Sequence, residues 1–219
     1  MSFDTLAPFY RWMERVCAGS RLHRCRCAFL GALTLPDEAR ILMLGEGHGR
    51  FLVECLGKFP QSQITYVDAS AVMITQAQKA VQAAGLLVDR VTFIHIDALT
   101  WEPPHAAFDL IVTHFFLDCF RPDQLERLIP TIARAARPAA HWLVADFQEA
   151  PHGWRRLRSR LILAMMYVFF RVVTRLPARR LTCPDPLLTK AGFTLHREAT
   201  FEWGLLRSAW WCQSPPLRH

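Results

Sequence analysis

Apolar residues along this chain fall into short runs, separated by glycine-containing turns and by longer stretches with a helical period. Runs of about four to eight apolar residues between turn residues are typical of buried strands, whereas apolar positions three and four apart are typical of helices. Their alternation predicts an α/β fold, with a parallel sheet covered by helices on both faces. The predicted strands cover residues 41–44, 64–67, 91–96, 108–113 and 141–145.

The segments around these strands carry helical patterns. Ser70 is suited to cap a helix that runs to about Ala84, and Gly85 is suited to end it. Two further strands, near 193–202 and 206–213, close the chain. A chain of 219 residues suits one ordinary domain, so we predict a single domain over 1–219. The remaining predicted helices cover the first 35 residues up to Pro36, residues 50–58, about Pro122 to Ala136, and 184–191.

Composition narrows the class of protein. Apolar residues make up 52% of the chain, which is typical of a folded globular protein, and the net charge is +7. The first residues lack the pattern of a secretory signal, and the seven cysteines show no disulfide framework, so we predict a cytoplasmic protein with reduced thiols. The spacing of Cys25 and Cys27 is not that of zinc ligands.

A glycine-rich turn is the first candidate for a binding site. The string from Gly45 to Gly49, with glycine at every second position, follows the first strand and precedes a helix, where backbone can approach a ligand closely. Asp68 and Asp97 end the second and third strands, so their carboxylates lie at the same edge of a parallel sheet. The alternative is that both aspartates only cap helices or solvate loops. Arg50 replaces the third glycine of a nicotinamide-binding GxGxxG string, which argues against a dehydrogenase.

Taken in order, these motifs resemble those of the class I S-adenosylmethionine-dependent methyltransferases, and most those of the quinone-methylating and small-molecule branch. The resemblance covers roughly residues 1–147 and implies a Rossmann-like, doubly wound sheet of seven strands, mostly parallel, with an antiparallel closing pair. It rests on the segments ILMLGEGHGRFL, TYVDASAVMITQAQ, VTFIHIDALTW and FDLIVTHFFLDCF, and on FDTLAPFY, which resembles a lid segment.

The resemblance also implies a cofactor site for S-adenosylmethionine. Asp68 would hold the ribose, and Asp97 with Ala98 would meet the adenine. Ala69 and Met73 would neighbour the adenine. The turn on the methionine side would consist of Gly45, Gly47 and Gly49.

This chain departs from the family at the acid that precedes the first glycine by two residues, because Met43 stands there. Glu46, between the glycines, is the candidate to contact the amino group of the donor instead. A catalytically degenerate module that binds the donor without turning it over is therefore an alternative to an active enzyme.

Candidates for acceptor chemistry follow the fourth strand. His114 and Asp118 are suited to act as a base within hydrogen-bond reach of an acceptor, and Tyr10 would close over the site if residues 1–36 form a helical lid. The alternatives are that His114 contacts the donor or packs in the core, and that Asp118 caps the next helix. Glu46, His48, His114 and Asp118 lack helical metal-ligand spacing, so we predict no metal. Apolar walls would come from Phe115, Phe116 and Phe120.

The segment 152–182 is a predicted helical insertion before the closing strands, where this family builds its acceptor site. Its uncharged stretch, Leu161 to Phe170, is too short to span a bilayer. As a helix, one face would carry Arg156, Arg160, Tyr167, Arg171 and Arg175. The rest of the surface would carry Leu161, Ile162, Met165, Met166, Val168, Phe169, Val172 and Val173.

Four roles stay open for this helix: contact with an anionic membrane through residues 152–180, a roof over an apolar acceptor, a homodimer contact, or ordinary core packing. Nucleic acid is disfavoured, because the arginines are backed by a broad apolar face without an aromatic stacking platform. The sequence thus predicts in-line methyl transfer to a small, hydrophobic, quinone- or lipid-like acceptor. Its rivals are the degenerate binding module and a membrane-peripheral interaction protein.

Overall fold

The computed structural model describes residues 19–174 and 181–213, and one seven-stranded sheet organises them. The strands are β1 (Arg40–Leu44), β2 (Gln63–Asp68), β3 (Val91–His95), β4 (Phe108–His114), β5 (Ala136–Phe147), β6 (Phe193–Phe201) and β7 (Leu206–Gln213). The helices in these ranges are α1 (Gly19–Arg26), α2 (Arg50–Lys58), α3 (Ala71–Ala83), α4 (Pro122–Ala133), α5 (Gly153–Thr174) and α6 (Asp185–Lys190).

The order of the strands across the sheet is β3-β2-β1-β4-β5-β7-β6. Neighbours from β3 to β5 are parallel, whereas β7 runs antiparallel to both β5 and β6. The chain reverses its direction of winding between β1 and β4, which is where doubly wound sheets bind ligands at the carboxyl ends of the strands. This topology confirms the predicted fold class.

The two faces of the sheet bury two separate clusters. Leu42 and Leu44 of β1 pack on the face with α4 and α6, while Ile41 and Met43 pack on the face with α2 and α3. All four are fully buried. Successive side chains of a strand point to opposite faces, so a strand covered on both sides needs an unbroken apolar run.

Local sequence explains most helix ends. Ser70 Oγ accepts a hydrogen bond from the Met73 amide at 3.3 Å at the start of α3, and Gly85 has the left-handed φ of +69° after its end, as predicted. The predicted end of α4 at Ala136 was wrong. That residue instead pairs with Phe108 and begins β5, which is much longer than expected.

The N-terminal segment and the insertion meet in a third cluster. Leu22 and Cys25 of α1 pack with Leu163 of α5 and with Ala145 of β5. The described part of the N-terminal segment is helical only to Arg26, and turns follow it, so the prediction of helix up to Pro36 was wrong beyond that point. Tyr10 and the FDTLAPFY segment lie outside the described residues.

The insertion is helical, as predicted, and its side chains are described through Met166. Arg156 and Arg160 are exposed. The apolar set is divided: Ile162 and Met166 pack against the third cluster, whereas Leu161 and Met165 face outward. The remaining predicted face residues, Tyr167, Val168, Phe169, Arg171, Val172, Val173 and Arg175, lie outside the described side chains.

Candidate functional site

The turn between β1 and α2 adopts a backbone that glycine alone adopts easily. Gly45, Gly47 and Gly49 have φ values of +63°, +70° and +85°. A Cβ atom at Gly45 would overlap the Phe116 ring, and one at Gly49 would lie 2.7 Å from Ala77 Cα in α3. A Cβ atom at Gly47 would meet nothing within 4 Å. Gly45 and Gly49 therefore permit packing, and Gly47 leaves open space above the turn.

Strand β2 holds this turn in place. The Gly45 amide donates to the Val67 carbonyl at 2.9 Å, and the buried Tyr66 hydroxyl donates to the Gly47 carbonyl at 2.6 Å. Both anchors come from the strand that ends in Asp68, so the turn and this carboxylate have a fixed relation.

Asp68 lies at the carboxyl end of β2, beside the glycine turn. Its Oδ1 accepts the Ser70 amide at 2.8 Å. Burial raises the pKa of Asp68 to about 6, although the backbone amides of Ser70 and Gly47 oppose this by hydrogen bonding to the carboxylate. A carboxylate has about four acceptor sites, so capacity remains for hydroxyl groups of a ligand.

The loop after β3 adjoins the loop after β2, because the Ile96 amide donates to the Asp68 carbonyl at 3.1 Å. Asp97 is exposed and its Oδ1 accepts the Leu99 amide at 2.9 Å. Both aspartates thus accept hydrogen bonds from amides of their own loops, as expected if they stabilise these loops. They also lie at the ends of adjacent strands, as expected for a binding site. Ala69 and Ala98 are half-buried and buried on these two loops, and Met73 is buried in the first turn of α3.

Glu46 points into the protein, where it meets the His114 imidazole and the Arg26 guanidinium. Its Oε1 lies 2.6 Å from His114 Nδ1, and its Oε2 lies 3.9 Å from Arg26 Nε, with all three side chains buried. Neither carboxylate oxygen has an aligned hydrogen bond within the described residues. Met43, at the position of the usual family acid, is fully buried in the core. Arg26 was missed by the sequence analysis, since no spacing links it to the turn.

His114 is not exposed to an acceptor. Its side chain is fully buried between Glu46 and the Phe51 ring, whose centroid lies 4.6 Å from the imidazole. The structure therefore places it beside the glycine turn.

Asp118 lies in the 3₁₀ turn Leu117–Cys119, and the N-cap residue of α4 is Arg121. The alternative that Asp118 caps α4 was therefore wrong. It is buried and interacts electrostatically with Asp146, a residue of β5 that the sequence analysis missed. Burial raises the pKa of Asp118 to about 6.

Aromatic rings surround this turn. Phe116 and Phe120 pack edge to face at 4.9 Å, and Phe115 packs on Phe147 at 5.2 Å. Beside Phe147 lies a cavity of about 320 Å³. Phe115, Phe116 and Phe120 are the rings predicted to wall the acceptor site; the cavity itself is lined by Phe147, and Phe115 is buried beneath the Arg26 guanidinium.

Across 19–174 and 181–213, no group of three or more His, Cys, Asp or Glu side chains is placed to hold a metal ion. The thiols of Cys25 and Cys27 are free, and burial raises their pKa to about 12 and about 11. Both stay protonated at neutral pH.

Comparison with known proteins agrees with this geometry. Residues 41–139 match a family described as "Methyltransferase domain". A trans-aconitate 2-methyltransferase of Variovorax paradoxus is 31% identical over 109 residues, which are 50% of this chain and 39% of that protein. The chain matches less than half the length of the curated relatives.

Solved structures share the fold. The [4+2]-cyclase SpnF superposes with a TM-score of 0.70 at 16% identity, covering 96% of this chain and 93% of that one. A methyltransferase from Mesorhizobium loti gives 0.64 at 18% identity, covering 87% and 99%. The match to a methyltransferase domain thus covers residues 41–139, and the solved structures share the fold over most of the chain.

The residues present fit S-adenosylmethionine. The open space at Gly47 admits a ligand close to the backbone, and Asp68 retains acceptor sites for hydroxyl groups. The buried Glu46 carboxylate, without an aligned hydrogen bond, suits a positively charged amino group.

Proposed function

We propose that the protein is an S-adenosylmethionine-dependent methyltransferase of a small acceptor with an apolar body. The glycine turn, locked to the strand that ends in Asp68, is the observation that carries this proposal. Bound S-adenosylmethionine supplies an electrophilic methyl group on a sulfonium. The protein contributes mainly by positioning, since the reaction is an in-line displacement.

Different residues of the site contact different parts of the donor. The backbone from Gly45 to Gly49 approaches the methionine side of the donor, and Glu46 accepts from its amino group. Asp68 accepts from the ribose hydroxyls. Ala69, Met73, Asp97 and Ala98 border the adenine. Arg26 and His114 hold Glu46 and so act as positioning residues.

The acceptor lies on the side of β4 and β5, next to the insertion that carries α5. Phe116, Phe120 and Phe147 supply apolar surface there. A quinone- or lipid-like acceptor, as the sequence resemblance implies, belongs to the class that such surface supports.

Calorimetric titration with S-adenosylmethionine and S-adenosylhomocysteine tests the donor site. We expect Asp68→Asn to weaken both by about tenfold or more, because hydrogen bonds to a charged group are lost. Asp37→Asn, in an exposed turn before β1, is the matched control and should bind normally. Absence of binding by folded wild-type protein would refute the proposal. Binding without turnover across an acceptor panel would favour the degenerate module.

A second function is favoured by the outer surface of α5. Trp154, Leu157, Leu161 and Met165 are 60%, 74%, 61% and 57% exposed and follow one another at helical spacing. Trp203 is 61% exposed and continues this stripe, since its ring lies 5.5 Å from that of Trp154. The opposite side of α5 is anchored by Ser159, whose Oγ accepts the Ala150 amide at 3.0 Å.

The charged side chains that α5 itself contributes beside this stripe are all positive. Arg155, Arg156, Arg158 and Arg160 flank it, and the sequence of α5 contains no Asp or Glu. We infer that α5 lies on an anionic membrane surface, with the stripe in the interface and the arginines at the headgroups. Among the described residues, no helix is long and apolar enough to cross a membrane.

Flotation with phosphatidylcholine vesicles, with and without phosphatidylserine, tests this inference. We expect binding only to the anionic vesicles, reduced by salt and abolished by Leu157→Glu with Leu161→Glu. Leu87→Glu changes an equally exposed leucine that is distant from α5 in the sequence, and this variant should bind the anionic vesicles normally. A homodimer that the same double variant dissociates, with no vesicle binding, would instead assign the stripe to a second copy of the chain.

A further inference from the structure

Two carboxyl groups, Asp118 and Asp146, form a buried pair at the carboxyl ends of β4 and β5. Asp146 is only 7% exposed. Burial raises the pKa of both groups, and the neighbouring Asp118 charge raises that of Asp146 further. Two interacting carboxyl groups lose their protons one after the other, so this pair is able to share a proton.

Asp146 retains an unused acceptor atom. Its Oδ1 is buried and has no hydrogen-bond partner within the described residues. Arg207 is its cross-strand neighbour on β7, but this guanidinium is engaged by Asp185 at 2.8 Å and Glu198 at 2.9 Å. A buried acceptor of this kind suits a donor that comes with a ligand.

Asp146 also lines the cavity of about 320 Å³ beside β5. Val144, Phe147 and Leu181 supply apolar wall. Glu149 also lines the cavity, but its carboxylate lies 4.0 Å from Arg156, and the Arg207 guanidinium is already engaged. Asp146 is thus the carboxyl group of the lining that can attract a cation with an apolar body.

The pair is joined to the donor site through Phe116. The Phe116 backbone opposes the rise in the pKa of Asp146 through hydrogen bonding, while the Phe116 ring packs against Gly45 of the glycine turn. A ligand held at Asp146 thus lies on the acceptor side, with only Phe116 between it and the glycine turn.

We propose that this cavity binds the acceptor, that the acceptor is a small amine with an apolar body, and that the Asp118–Asp146 pair holds its ammonium group. This proposal rests on the methyltransferase function proposed above. In the reaction, the ammonium gives one proton to the carboxylate pair, and the freed nitrogen lone pair attacks the methyl carbon. The N–CH₃ bond forms as the S–CH₃ bond breaks, and the sulfur keeps the bonding electrons. The products are a methylated ammonium and S-adenosylhomocysteine, and the pair passes its proton to water.

Equilibrium binding of benzylamine, with benzyl alcohol as the uncharged analogue, tests the proposal without turnover. We expect the wild-type protein to prefer benzylamine by about tenfold or more, because a charge-assisted hydrogen bond is made only with the ammonium. Asp146→Asn should remove this preference, and Asp118→Asn should reduce it. Asp89→Asn, at an exposed carboxyl group that does not line the cavity, is the matched control and should keep the preference. Titration of every variant with S-adenosylhomocysteine checks that the fold and the donor site are intact.

Equal affinity for the two probes, no binding of benzylamine, or undiminished preference in Asp146→Asn would each overturn the amine assignment. Normal binding of S-adenosylhomocysteine in those cases would leave the methyltransferase function standing. Conversely, benzylamine binding that depends on Asp146, in a protein that binds neither donor nor product, would reject the proposed function while keeping the cation site.

Discussion

Gly49 and Gly47 have similar backbones but different surroundings, and this contrast allows a quantitative test. Alanine at either position must adopt a left-handed φ, at a cost of about 1–2 kcal/mol. At Gly49 the new Cβ atom would also lie 2.7 Å from Ala77 Cα, so the start of α2 and the body of α3 must separate. Overpacking of this kind costs about 1–3 kcal/mol more.

We therefore expect Gly49→Ala to lower the free energy of unfolding by about 2–5 kcal/mol, and Gly47→Ala by about 1–2 kcal/mol. Affinity for S-adenosylmethionine should change in the opposite order, because a Cβ atom at Gly47 projects into the open space above the turn. Gly57→Ala is the control. It lies in α2 with open space around it, and alanine there should stabilise by about 0.5–1 kcal/mol.

Urea unfolding measures the stabilities, and calorimetry on the folded variants measures the affinities. Equal destabilisation by alanine at Gly47 and at Gly49 would show that the contact between Gly49 and α3 adds no cost. That result would refute the packing explanation for Gly49. Unchanged donor affinity in Gly47→Ala would remove Gly47 from the cofactor site.

Three further outcomes are expected. The folded pKa of Asp68, about 6, lies above its ordinary 3.8, so its stabilising contribution is complete below about pH 4 and is lost as the pH rises through 6. In Asp68→Asn, the free energy of unfolding in urea should vary less between about pH 4 and pH 6 than in the wild type. The affinity of the wild type for S-adenosylmethionine should fall below pH 6, because the Asp68 carboxylate becomes protonated. Asp146→Asn should raise the melting temperature more at about pH 8 than at about pH 5, because burial disfavours the charge that Asp146 carries at the higher pH. An equal change in melting temperature at both pH values would contradict a pair that shares a proton. Thr113→Val should cost about 1–3 kcal/mol by leaving the buried Trp142 indole N–H, now 2.9 Å from Thr113 Oγ1, without an acceptor, while Thr113→Ser should be far milder.

Much of the architecture was determined by the sequence alone. The order and type of the described elements followed from periodicity, because a strand buried on both faces needs an unbroken apolar run. The convergence of the glycine turn with Asp68 and Asp97 followed from topology, since the carboxyl ends of parallel strands share one edge. Strand length was less well determined: β5 begins at Ala136 because it pairs with β4 there, and its own apolar pattern does not show that pairing.

The contacts that give the site its charge were decided by the tertiary structure. Arg26 meets Glu46, and Asp118 meets Asp146, across separations along the chain that no local pattern encodes. The rotation of α5 is a similar case, because Leu161 and Ile162 are equally apolar and only the packing of α5 on the third cluster turns one outward and the other inward. A periodic sequence specifies that a helix has an apolar surface, but the partner that covers part of it specifies which residues remain exposed.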